Sequence, residues 1–242
     1  MSKRKLPINY NLNEINITNE IVLIKGNRTP TVDAWYKLSK ENLTTAKLLL
    51  EKKRVNHAVF FIQQCVECLV KAFFLETEIL NADKVSNIRH NPSFAFEQLY
   101  EKIGYEQGVE YCHQIPEMLN KKSSFEEKLI LGASLANQFI TAFKNYKLKI
   151  QSTIMSLDTS KYESSIKDLC IEEKIYFQNM LLVFSCLFTH DVEKDARYLS
   201  LTNNGIIMPT DIFSTTKVID GLPSFISALD NLMNYFLDSN KI

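Results

Sequence analysis

Two long windows of the chain, Thr31 to Asn91 and Ala133 to Asn204, contain neither glycine nor proline. Such runs favour long helices joined by polar turns, because nothing in them invites a positive φ or removes a backbone N–H. Six Gly and six Pro among 242 residues are also far below average usage of about 7% and about 5%. An architecture rich in tight hairpins is therefore excluded, and the expected fold class is all-α. With 45% hydrophobic residues, a chain of this length builds a core without disulfide or metal staples.

Hydrophobic spacing divides the windows into helices. The first is expected from about Asp33, as N-cap, to about Lys53, with Trp35, Leu38, Asn42, Ala46 and Leu49 on one face. A second runs from the turn at Arg54–Asn56 to about Leu80, burying Ala58, Phe61, Ile62, Cys65, Leu69, Ala72 and Phe73, so the pair forms an antiparallel hairpin. Asn91-Pro92 is an N-cap followed by Pro at the first helical position, and it opens a third helix carrying Phe94, Phe96, Leu99 and Tyr100. Ser124 and Glu127 have capping-box spacing and start a helix reaching Ile154. Ser160 caps another, which ends beyond Leu187. Residues 201–220 read as a loop or small hairpin, and Leu222 to Asp238 as the closing helix. The expected domain organisation is an arm over residues 1–30, with a short strand at Ile21–Ile24, and one bundle of six or seven helices over 31–242.

Composition removes several function classes. Twenty-eight basic and twenty-eight acidic residues cancel, which argues against indiscriminate coating of nucleic acid and leaves only local patches. Five cysteines in no regular framework, with no apolar leader, point to a reducing cytoplasm. The longest apolar stretch is read as Ile175–Phe188, about 14 residues interrupted by Gln178 and Asn179 against the roughly 20 needed to cross a bilayer, so no membrane partner is expected. Cys65 and Cys68 lie one helical turn apart, yet a zinc site needs two further ligands and no well-spaced Cys/His pair supplies them; no metal and no cofactor are expected. No phosphate-binding glycine loop, nucleophile elbow or H-E-x-x-H helix is present.

On the second helix Gln64, Glu67 and Lys71 share a face. Two readings stand open: a solvated edge in which Glu67 and Lys71 form an i, i+4 pair, or a binding stripe. Ala34-Trp35, Asn42-Leu43, Ala46-Lys47-Leu48-Leu49, Asn56-His57-Ala58-Val59-Phe60, Gln63-Gln64, Glu67 and Lys71-Ala72 together resemble the HEPN family. The family's His ahead of a short helix corresponds to His90, and its C-terminal Arg-Tyr segment to Arg197-Tyr198. The resemblance covers residues 33–103 and, more weakly, 176–238, with a helical insertion at about 104–175.

That resemblance implies an antiparallel bundle, often a homodimer, that binds RNA or a nucleotide, is commonly paired with a nucleotidyltransferase, and acts in prokaryotic toxin–antitoxin or abortive-infection defence. It would put Gln64, Glu67, Lys71, His90, Arg197 and Tyr198 at the binding site. Many members resemble metal-independent ribonucleases with an Arg followed four to six positions later by a His, a pairing this sequence lacks. His190 and Arg197, in the reverse order and seven positions apart, form a variant pair that would supply a base and a cation for cleavage at a ribose 2′-hydroxyl. Binding, catalysis by that pair, and a purely protein-binding module are the three functional alternatives.

Overall fold

A computed structural model describes residues 27–85, 88, 92–122, 124–154, 159–188, 190–197, 200–202, 205–213 and 215–238. The expected strand at Ile21–Ile24 and most of the N-terminal arm lie outside the described residues.

The helix that organises the rest is α2 (Val55–Glu76), of whose 22 residues only His57 is exposed. A helix apolar on nearly every side must be surrounded, and α2 is: α1 (Pro30–Glu51) lies along it, and α7 (Thr159–Leu187), α8 (His190–Arg197), α9 (Pro209–Phe213) and α10 (Thr216–Asp238) close over it. Among the described residues α2, rather than Ile175–Phe188, is the helix long and apolar enough to cross a membrane, yet 67% of its apolar window is buried inside the fold. Packing within the bundle accounts for that apolarity.

The α1–α2 hairpin forms as expected, reversing at Lys53, which takes a left-handed φ of 56°. Two details differ. Helix α1 is capped by Thr29, whose hydroxyl accepts from the Val32 N–H at 3.3 Å, with Pro30 in the first turn. Asp33, the expected cap, lies inside that turn and pairs with Arg28 at 2.6 Å. The buried face is Val32, Tyr36, Ser39, Leu43 and Ala46; Ala46 is expected there, but Tyr36, Ser39 and Leu43 stand one position on from Trp35, Leu38 and Asn42, which leaves Leu38 42% exposed. Ser39 goes inside because its hydroxyl donates to the Cys65 carbonyl oxygen at 2.9 Å, so its burial leaves no unmet hydrogen bond.

One end of the hairpin is closed by charge. Tyr36 donates to the buried Glu76 carboxylate at 2.6 Å, and the Arg28 guanidinium stands 3.6 Å from Glu76 and 4.2 Å from the centre of the Tyr36 ring. Arg28 also donates to the Phe236 carbonyl oxygen at 3.2 Å, fastening the start of α1 to the end of α10. Inside this clasp Phe73, Phe74, Phe96 and Phe236 pack ring against ring, with centroids 4.8–6.0 Å apart.

Among the described residues there are ten helical segments rather than six or seven. The short α3 (Ala82–Val85) and α9 carry too few residues to show a period, and α8 is a charged string without an apolar run. Helix α5 (Glu106–Asn120) lies within the expected helical insertion, and Gly108 and Pro116 inside it obscure its bounds in the sequence. Gly108 sits where the rings of Tyr105 and Tyr100 close on the backbone, and a Cβ there would lie 2.2 Å and 2.6 Å from them. Helix α4 (Pro92–Lys102) starts at Pro92 as expected, but Phe94 is 54% exposed. Helix α6 (Phe125–Ile154) opens with the Ser124 hydroxyl accepting from the Glu127 N–H at 3.2 Å and folds back on α7. Strands β1 (Ser200–Thr202) and β2 (Gly205–Ile207) form the small antiparallel hairpin foreseen near residue 201. Asn179 of α7 accepts from Tyr100 at 2.9 Å and donates to Tyr105 at 3.4 Å, joining α7 to the α4–α5 corner.

Two predictions follow from this packing. Gly108→Ala should cost about 1–3 kcal/mol through overpacking, seen as a lower urea midpoint. Burial raises Tyr36, Tyr100 and Tyr105 above the ordinary tyrosine value of 10.0 and holds Cys65 up at about 12. The folded state therefore keeps protons that the unfolded chain releases, so stability is complete below about pH 9 and falls as pH rises. Each such group contributes a slope of about 1.4 kcal/mol per pH unit once the unfolded form ionises. Denaturation midpoints measured from pH 7 to pH 11 should decline steadily above pH 9, and a flat profile would contradict the burial of these groups.

Candidate functional site

The polar stripe of α2 is a connected ladder. Gln64 Nε2 donates to Gln63 Oε1 at 2.5 Å, Gln63 Nε2 donates to Glu67 Oε2 at 3.2 Å, and Lys71 Nζ donates to Glu67 Oε1 at 2.6 Å. Glu67 lies four residues from both Gln63 and Lys71, the spacing at which helix side chains meet, which is why these three assemble without help from other elements.

Tertiary structure takes this ladder away from water. The side chains of Lys71 and Glu67 are only 12% and 11% exposed, so the solvated-edge reading does not hold, although the i, i+4 pair itself forms. Trp35 of α1 covers the ammonium, with Lys71 Nζ 4.9 Å from the ring centre, an attraction between cation and ring face that strengthens as water is excluded. Both Glu67 oxygens are engaged, one by an ammonium and one by an amide. The fixed outcome is a partly desolvated cation beside an aromatic face, with the half-buried amide of Gln64 at the outer end.

Arg197, the last residue of α8, meets the same helix one step earlier, its guanidinium carbon 5.1 Å above the Phe60 ring. Phe60, Gln64, Glu67 and Lys71 follow one another along one side of α2, so Arg197 and Lys71 bracket the ladder at its two ends. Beside it a small cleft is lined by Gln63, Glu67, Ile88, Pro92 and Ser185. Ile88 and Pro92 flank the segment that contains His90, but His90 itself lies outside the described residues, as does Tyr198. His190 is the first residue of α8, with its backbone alone described. A larger concavity, along α6, is remote in sequence from every one of these residues.

The cysteines on α2 serve the interior. Cys65 contacts the Ser39 hydroxyl at 3.3 Å and Cys68 accepts from the Asn42 amide at 3.7 Å. Burial lifts their thiols to about 12 and about 11, which disfavours the thiolate that a metal ligand or nucleophile requires. Among the described residues no three His, Cys, Asp or Glu side chains converge as metal ligands.

Of the expected site residues, Gln64, Glu67, Lys71 and Arg197 meet along α2, and they are joined by three that carry the resemblance but are not expected at the site, Gln63 and the rings of Trp35 and Phe60. Gln63 was readable as an i, i+4 partner of Glu67. The cation–ring contacts join α1 and α8 to α2 and leave no local spacing to read.

If the pair is held as described, Glu67→Gln and Lys71→Met should each lower stability by more than an exposed substitution does, because each strands a partner in a desolvated place. The double variant should be less damaged than the sum of the two, with a coupling of about 1–3 kcal/mol in a double-mutant cycle read by urea denaturation. Additive losses would mean that the pair is solvated.

Residues 32–122 match the family model of the HEPN domain. No curated protein and no solved structure matches the chain. The matched span holds Trp35, the whole α2 ladder and His90, takes in α5, and stops before Arg197 and Tyr198.

Proposed function

We propose that the chain, whose residues 32–122 match the family model of the HEPN domain, binds RNA or a nucleotide on the α2 stripe, without cleaving it. The match supports an RNA-related or nucleotide-related function in the broad sense. The observation that carries the finer reading is the Lys71 ammonium, held between the Glu67 carboxylate at 2.6 Å and the Trp35 face at 4.9 Å, with Glu67 itself lining a small cleft. A positioned cation answers a phosphate, an indole offers a stacking surface, and the Gln64 amide supplies both a donor and an acceptor for a base edge. Arg197 offers a second phosphate contact at the far end of the stripe.

Binding is favoured over catalysis by the arrangement of α8. His190 and Arg197 are its first and last residues, so their backbones stand about 10 Å apart along the helix axis. A base and a cation acting on one phosphate must converge within hydrogen-bond reach of it. Arg197 instead reaches across to Phe60 on α2. The proposed setting is a prokaryotic defence or toxin–antitoxin module, with a second copy or a nucleotidyltransferase as partner, on the strength of the resemblance set out above.

Trp35 is the single tryptophan of the chain, so its emission reports on the ladder directly. Titration with single-stranded RNA or with nucleotides, in chelator, should give a saturable change in that emission while the RNA stays intact on a gel. Lys71→Gln should weaken the binding about tenfold, the equivalent of one charge-assisted contact of about 1.4 kcal/mol. No response from the wild-type protein to either class of ligand would defeat the reading. Cleavage that disappears in His190→Ala would replace it with the ribonuclease alternative.

A further inference from the structure

Trp35 is not the only residue of α1 that borders the α2 stripe. At about 100° per residue Trp35, Leu38, Asn42, Thr45 and Leu49 lie along one strip of α1, and all but the exposed Leu38 are half-buried. Asn42 is the carboxamide of that strip. Its Nδ2 donates to Cys68 Sγ at 3.7 Å, a weak bond to a soft acceptor, and its Oδ1 accepts from none of the described residues.

Cys68 settles where that amide stands. On α2 it follows Gln64 by four residues and precedes Lys71 by three, the spacings at which helix side chains meet. Asn42 therefore faces the stretch of α2 between the Gln64 amide and the Lys71 ammonium. Gln64 repeats its pattern: Nε2 donates to Gln63 Oε1 at 2.5 Å, and Oε1 accepts from none of the described residues. Two half-buried carboxamides, one from each helix of the hairpin, thus bond to the protein through nitrogen and hold oxygens that no described residue claims.

We propose that Asn42 Oδ1 and Gln64 Oε1 receive the exocyclic amino group of a nucleobase whose phosphate lies at Lys71, so that the stripe takes adenine or cytosine in preference to hypoxanthine or uracil. An amino group brings two hydrogens to two acceptors. The keto oxygen that replaces it in hypoxanthine and uracil would set three acceptors together with nothing between them, and a site built to bond an N–H rejects the analogue that lacks it. The dimensions agree. Ribose separates a nucleotide's phosphate from its base, and one to two turns of α2, at about 5.4 Å each, separate Lys71 from Cys68 and Gln64. Trp35, on the same strip of α1 as Asn42 and in contact with Lys71, supplies the stacking face. The inference rests on the reading of the stripe as a nucleotide site and adds to it the class of base.

The test titrates the full chain with AMP, IMP, CMP and UMP and follows Trp35 emission. AMP should bind about tenfold more tightly than IMP, and CMP than UMP, the scale of one hydrogen bond to an otherwise unpaired acceptor. Asn42→Leu should bring AMP to the level of IMP and CMP to the level of UMP. Asn42→Asp, which keeps an acceptor at that place, should keep the preference. Gln64→Leu should reduce it without touching the packing of α1, and so reads the same ratios if Asn42→Leu fails to fold. A role confined to packing would lower the four affinities together and leave both ratios as they are. Asn137→Ala, on the exposed side of α6, should match the wild type. Equal affinities within each pair in the wild type, or ratios that survive both leucine variants, would overturn the inference and leave nucleotide binding on α2 standing. No response to any of the four nucleotides would overturn both.

Discussion

The near-total burial of α2 is the constraint from which the rest of the structure follows. A helix with one apolar stripe needs one neighbour, whereas a helix with apolar residues on every side is stable only when wrapped. Ile62, Cys65, Cys68, Val70 and Phe74 point in different directions around α2, and each is buried. Helix α1 therefore folds back on it, α10 returns from the far end of the sequence to pack on both, and α7, α8 and α9 close the remaining sides.

Wrapping such a helix leaves its polar residues with few options, and two solutions are visible. At the C-terminal end Glu76 is neutralised from outside α2, by Tyr36 and Arg28, and the same contacts anchor the start of α1 and the end of α10. Midway along, Glu67 is satisfied from within α2, by Gln63 and Lys71, and the rest of the fold contributes only a ring to cover the ammonium. The first arrangement is a fastening. The second costs desolvation for a pair that apolar residues could replace, and that excess of polarity beside a cleft is why it stands as the functional candidate.

The α2 stripe carries two cations, each over an aromatic ring, with amides between them, and the groups that meet there come from three helices, α1, α2 and α8, the last of them far along the sequence from the other two.

Local spacing along the sequence determined the helix hairpin, the starts at Pro92 and Ser124, the closing amphipathic helix and the i, i+4 ladder from Gln63 to Lys71, because each depends on residues within a turn or two of one another. Helix α5 falls within the expected helical insertion, but its bounds are not legible locally because Gly108 and Pro116 are breakers, and only the pressing of the Tyr100 and Tyr105 rings on the backbone explains the glycine. The inward face of α1 was misplaced by one position because Ser39 becomes an interior residue only when the Cys65 carbonyl is there to accept its proton. Tertiary structure alone decided that Lys71 and Glu67 leave water, since the screening group, Trp35, is brought by another helix. A cation's worth depends on its dielectric surroundings, and those are set by whatever the fold packs against it.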